Sequence, residues 1–202
     1  MKPSDKELRR AEYIVALGRF VDSYSITESY VHLCFRRFSK LTHEMAMAIK
    51  GSMRLSDLIP LTKRVMRARK WSASDCAEIA GALDHLNVLS EFRDRVLHRG
   101  ADFERSGTLL STNVATSRSI DLIEFISFNI SDIENAIEDL AQIRARISLV
   151  VFGKALAKRF PREVIDAARE PWRYKSVRRE TIHQRSQRTQ KARARTRRTS
   201  SE

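Results

Sequence analysis

Turn-forming residues are scarce in this chain, with six glycines and four prolines in 202 residues. Sandwiches, barrels and glycine-rich nucleotide folds depend on many tight turns, so this scarcity argues against all of them. Between the few breakers lie long runs in which apolar side chains recur every three or four residues, the period of a helix buried on one face. An all-α fold is therefore expected, an up-and-down helical bundle with one small β-hairpin insertion.

Ser4-Asp5-Lys6-Glu7 has the spacing of a capping box. It predicts a long first helix whose buried face carries Leu8, Ala11, Val15 and Gly18, then Val31, Cys34, Phe35 and Phe38. Short polar side chains between Ser23 and Thr27 compete for backbone bonds and predict a bend or break there. Thr42 caps a short helix ended by Gly51, and Ser56 caps another running to about Arg69 with Leu58, Leu61, Val65 and Met66 inward. A clear helix follows, with Ile79, Leu83, Leu86, Leu89, Phe92, Val96 and Leu97 on its apolar face and Gly100 as its stop. The period then changes. Residues 108–112 and 122–126 read as two strands separated by turn-rich Asn113–Ser119. Ser131-Asp132-Ile133-Glu134 repeats the capping box and opens a helix to about Lys158.

The charge is unevenly spread. From Arg173 onward there are eleven basic residues against two acidic ones, so +9 of the total +13 lies at the C-terminal end and only +4 elsewhere. That end has little to bury and reads as disordered when free, which divides the chain into a helical domain over 1–160 and a basic tail over 161–202. Trp172 and Tyr174 stand where the tail begins and are expected to anchor it to the domain rather than to stack on a base. The N-terminus lacks the apolar stretch of a secretory signal, and the run from Ile147 to Phe152 is far short of the ~20 residues of a membrane span. Single cysteines, Cys34 and Cys76, inside helical patterns suit a reducing compartment, so a cytoplasmic location is expected. No Cys-x-x-Cys, His-x-x-x-His or His-Glu-x-x-His occurs, and neither a metal nor a cofactor is expected. His32 reads as a packed residue of the first helix, and His85, beside Asp84, as a surface residue.

The helix that stops at Gly100 finishes Glu91-Phe92-Arg93-Asp94-Arg95-Val96-Leu97-His98-Arg99. Here the sequence resembles the HEPN family, all-α domains of prokaryotic toxins and defence systems. Their signature is Arg, a polar residue, a few variable residues and then His, late on a helix. Arg93, Asp94 and His98 match it, with Asp where Asn is the family's commonest choice. Two other Arg-to-His spacings, Arg36 and Arg37 before His43 and Arg178 before His183, lack the capped helix and the polar residue after Arg.

The resemblance implies a metal-independent endoribonuclease that acts as a homodimer on single-stranded RNA, with a cognate antitoxin protein as a further partner. Arg93 and His98 would be catalytic and Asp94 supporting. Five residues turn an ideal helix by about 140° and advance ~7.5 Å, so Arg93 and His98 of one chain point apart, and a two-fold dimer resolves this. Asp94 and His98 stand four apart on one face, where a carboxylate can orient an imidazole and raise its pKa. The imidazole then takes a proton from the RNA 2′-hydroxyl while Arg93 holds the phosphate. Arg95, Arg99, Arg185, Arg188, Lys191, Arg193, Arg195, Arg197 and Arg198 are the expected contacts to RNA phosphates. Two alternatives stay open: a noncatalytic HEPN-like RNA-binding or regulatory module, and a helical DNA-binding regulator.

Overall fold

The computed structural model describes residues 4–51, 53–104, 107–153, 161–177, 179–188 and 190. Helix α1 spans Asp5–Ser39, and its N-terminus carries the expected capping box. The Ser4 hydroxyl accepts from the Glu7 amide at 3.3 Å, and the Glu7 carboxylate accepts from the Ser4 amide at 2.7 Å. The expected break near Ser23–Thr27 does not occur. The hydroxyls of Ser25 and Thr27 donate back to the carbonyls of Val21 and Ser23, at 3.0 and 2.8 Å, and so satisfy themselves within the helix.

The buried face of α1 is also rotated from the expected one. Tyr13, Ala16, Phe20, Tyr24, Thr27, Val31, Cys34, Phe35 and Phe38 are inside, whereas Leu8 and Val15 are 54% and 61% exposed. Aromatic rings bury far more area than a Leu or a Val, so Tyr13, Phe20 and Tyr24 set the register of the first half.

Helix α2 (His43–Lys50) is capped by the Thr42 hydroxyl. Helix α3 (Leu55–Ala68) starts after Arg54 with no side-chain cap, so Ser56 lies inside it, and it buries Leu58, Ile59, Thr62 and Met66. Helix α4 (Ala73–Arg99) stops at Gly100, whose φ of +65° is the left-handed conformation that only glycine adopts cheaply. Helix α5 (Ile130–Phe152) buries Ile133, Ala136, Asp139, Leu140, Ile143, Ile147 and Val151. Helix α6 (Arg162–Ala167) is short. No helix among the described residues is long and apolar enough to cross a membrane.

The chain is largely helical but not all-α. The expected hairpin exists as β2 (Leu109–Thr112) and β3 (Glu124–Phe128), but it forms the middle of a four-stranded antiparallel sheet ordered β1-β2-β3-β4. Leu109 faces Phe128 and Thr112 faces Phe125 across its centre. One edge is β1 (Asp102–Phe103), too short to announce itself in sequence. The other is β4 (Arg179–Thr181), drawn from the segment expected to be disordered. A strand needs only its backbone groups to pair, and the open side of β3 offers partners for them. Residues 182–188 continue as a helical turn, α7, so the expectation of a disordered tail is overturned up to that point. Residues 191–202 lie outside the described residues.

The chain forms two compact units, one from the described residues of Met1–Ser90 and Ser131–Lys175, the other from those of Glu91–Ile130 and Ser176–Glu202. The first has a helical core in which Phe20, Phe35, Phe38, Leu58, Leu83, Leu86 and Ile143 are fully buried or within 2% of it. The second buries Phe92, Val96, Leu109, Ile126 and Phe128 around the sheet.

Candidate functional site

The last turns of α4 belong to the second unit, and two aromatic side chains fix them. Phe92 meets Phe128 edge-to-face with ring centroids 5.4 Å apart, and Val96 is buried one turn on. With those positions inward, Asp94 and His98 face outward, and so does Leu97, which is 40% exposed rather than on the buried face expected for it. Arg93 is partly covered, its side chain 27% exposed against 52% for Asp94.

The structure brings Arg93 and Asp94 together. The Asp94 carboxylate accepts from the Arg93 Nε at 3.1 Å and from Nη2 at 2.9 Å, a two-point grip on the guanidinium. The expected contact between Asp94 and His98 is not formed, because the carboxylate is already turned to its neighbour in sequence. His98 is exposed, and no group among the described residues bonds to its ring. Within one chain Arg93 and His98 therefore stand apart, as their spacing on the helix requires.

The basic residues expected to meet RNA fall into two groups. Those that are described are already paired with carboxylates of their own unit. Arg95 reaches Glu91 at 3.0 Å, Arg99 reaches Glu124 at 3.4 Å, and Arg188 reaches the nearly buried Glu180 at 2.9 Å. Arg185 pairs with Glu104 and lies 4.9 Å from the centre of the Phe125 ring. An RNA phosphate at any of these four must displace a carboxylate. Lys191, Arg193, Arg195, Arg197 and Arg198 lie outside the described residues.

A second constellation, in the helical unit, was only half visible in the sequence. His85 is not a surface residue: it is 9% exposed, and its Nε2 lies 2.7 Å from Oδ2 of Asp139, which has no exposed surface. Asp139 also accepts from the backbone amides of Arg173 and Tyr174 at 2.8 and 2.9 Å. Trp172 stacks on the His85 ring at 4.3 Å and 7°, and the Arg146 guanidinium lies 3.9 Å from the centre of the same indole. Arg146 donates in turn to the carbonyls of Ala168 and Glu170 at 2.7 and 2.8 Å. Every polar group here ties residues 168–174 to α4 and α5, so the cluster is a strap, and Trp172 and Tyr174 anchor the chain as expected. Trp172 itself was the signal in sequence. Asp139, which follows Glu138 on a helix with many polar side chains, gave none.

Elsewhere in this unit, Arg144 donates to the Ser23 carbonyl at 3.0 Å and to the Thr27 hydroxyl at 2.8 Å. Burial lowers its pKa, while Tyr30 and Asp22 oppose the shift. Burial likewise pushes the Cys34 thiol well above its usual range, which makes it a poor nucleophile. Among the described residues no group of three His, Cys, Asp or Glu side chains is arranged to hold a metal ion. Comparison with known proteins adds no neighbour: no family model, no curated protein and no solved structure matches this chain.

Proposed function

We propose that the chain is a metal-independent endoribonuclease that works as a homodimer, of the kind used in toxin–antitoxin or phage-defence systems. The observation that carries this reading is His98: an exposed imidazole on the last turn of a helix anchored by Phe92 and Val96, with no bond from its ring to the described residues. A general base must be open to its substrate yet held by a rigid scaffold, and this position satisfies both needs. Across a two-fold axis, Arg93 of one protomer approaches His98 of the other. The imidazole then removes the proton of a 2′-hydroxyl, and the 2′ oxygen attacks the adjacent phosphorus. The bond to the 5′ oxygen breaks, and that oxygen leaves with a proton from solvent, giving a 2′,3′-cyclic phosphate and a 5′-hydroxyl. Arg93 stabilises the charge that develops on the phosphoryl oxygens.

One observation favours a second reading. Asp94 engages Arg93 and not His98, so a noncatalytic RNA-binding module needs no rearrangement of the motif. The two readings part in one assay, cleavage of a mixed single-stranded RNA in EDTA. The expected result is cleavage with cyclic phosphate ends, reduced at least about a hundredfold by His98→Ala and by Arg93→Ala. RNA binding without cleavage selects the binding module. Cleavage that survives His98→Ala removes the motif from the chemistry.

A further inference from the structure

The end of α1, the start of α2 and the end of α5 border an open groove of about 630 Å³ in the helical unit. Its apolar floor is Leu33, Leu41, Val151 and Phe152, the last of these 49% exposed. Its polar lining is Arg36, Arg37, Lys40 and His43, with no carboxylate among the described residues. A smaller recess of about 170 Å³ shares Leu33, Arg36 and His43 and adds His32.

The three cations differ from the paired arginines of the other unit. Among the described residues, Arg36, Arg37 and Lys40 form no ion pair. Glu44, next to His43 in sequence, is engaged with its own backbone amide and the Thr42 side chain at the start of α2. Compensation of a helix end explains only part of the charge, since a helix C-terminus carries about −0.5 of an elementary charge and three full positive charges stand here.

The cations are also held in place. Arg36 Nη1 lies 3.3 Å from His43 Nδ1. A guanidinium only donates, so Nδ1 accepts and Nε2 of His43 carries the hydrogen, a further donor at the groove. The Arg37 guanidinium sits 5.6 Å from the centre of the Trp71 ring, a contact that positions the charge without neutralising it. Trp71 is fixed edge-on to Phe38 at 4.6 Å. Lys40 ends α1 with a φ of +55°, a conformation Gly or Asn adopts more cheaply. A left-handed helix cap is usually glycine or asparagine, so Lys40 in this place puts a third cation at the groove where such a cap ordinarily carries no charge.

We propose that this groove binds a nucleoside monophosphate, its phosphate held by Arg36, Arg37 and Lys40 and its base laid over Phe152 and Leu33. Guanidinium forks and an ammonium suit a phosphate monoester, the apolar floor suits a flat ring, and the volume lies within the range of small-ligand sites. This site shares no residue with the ribonuclease reading and does not depend on it.

The test is isothermal titration calorimetry on the full chain with adenosine monophosphate, ribose 5-phosphate, adenosine and inorganic phosphate as separate probes. Adenosine monophosphate is expected to bind at least tenfold more tightly than each of the other three. Arg36→Gln and Lys40→Gln each weaken it at least tenfold, with circular dichroism and melting temperature unchanged. Phe152→Ala weakens the nucleotide and leaves ribose 5-phosphate as it was. Equal affinity for inorganic phosphate and the nucleotide overturns the proposal, as does binding that ignores both cation substitutions. Absence of binding by every probe overturns it too.

Discussion

Asp139 has no exposed surface, and three donors surround its carboxylate: the amides of Arg173 and Tyr174 and the ring of His85. Charge taken out of water survives only where hydrogen bonds replace the lost hydration. Asp139→Ala strands all three donors at once and is expected to destabilise the fold by about 3–5 kcal/mol, lowering the melting temperature by roughly 6–20 °C at this chain length. Asp139→Asn keeps the volume and one carbonyl acceptor, so its loss should be markedly smaller. Thermal unfolding followed by circular dichroism separates the two, and equal melting temperatures for Asp139→Ala and wild type would remove the strap's energetic role. The sequence could not show this cluster. His85 lies on the rim of the α4 stripe formed by Ala82, Leu83, Leu86 and Leu89, where a polar side chain by itself reads as solvated. Its partner is 54 positions away in sequence, and no local pattern joins them. By contrast, the inward placement of Phe92 and Val96 followed directly from the helical period, although Leu97, read on the same face, is 40% exposed.

At the level of whole elements, legibility tracked how much apolar surface each one buries. The face and stop of α4 were readable because long aliphatic side chains recur on one side and Gly100 ends them. The strands β2 and β3 were readable from their alternation. Edge strands β1 and β4 were not, because pairing with a neighbour, and not a hydrophobic signature, defines them. Glu180 within β4 is 5% exposed and pairs with Arg188, a carboxylate that composition alone assigns to solvent. Two truncations follow from this. Ending the chain before Ser176 removes β4 and the partners that Arg179, His183 and Arg185 give to Glu91, Asp121 and Glu104. The freed edge of β3 is then a template for association, and aggregation or loss of the sheet signal is expected in circular dichroism and size-exclusion chromatography. Ending it after Gln190 should leave both signals as they are in the full chain. If the shorter product stays monodisperse with its full strand content, β4 is dispensable to the fold.

For the molecule as a whole, the net charge of +13 says less than where its counter-charges lie. Arg95, Arg99, Arg185 and Arg188 are each met by a carboxylate, and a phosphate gains little by replacing one anion with another. Residues 191–202 hold five basic side chains and a single acid, so removing them takes the formal charge from +13 to +9. If RNA is held through this segment, each phosphate it neutralises releases counterions, and the logarithm of the binding constant falls with that of salt by about 0.7 per contact on a single strand. Truncation after Gln190 should then flatten that slope by up to about 3.5 and weaken binding most at low salt. The cleavage rate at saturating RNA should stay unchanged, since His98 and Arg93 remain on their helix. Fluorescence titration of a labelled single-stranded RNA across a series of salt concentrations reads the slope directly. An unchanged slope would move RNA recognition onto the folded units, where a phosphate must first open one of the ion pairs around the sheet. Charge reversal of Glu124 or Glu104 would then tighten binding rather than leave it unaltered, because it frees Arg99 or Arg185 for the phosphate.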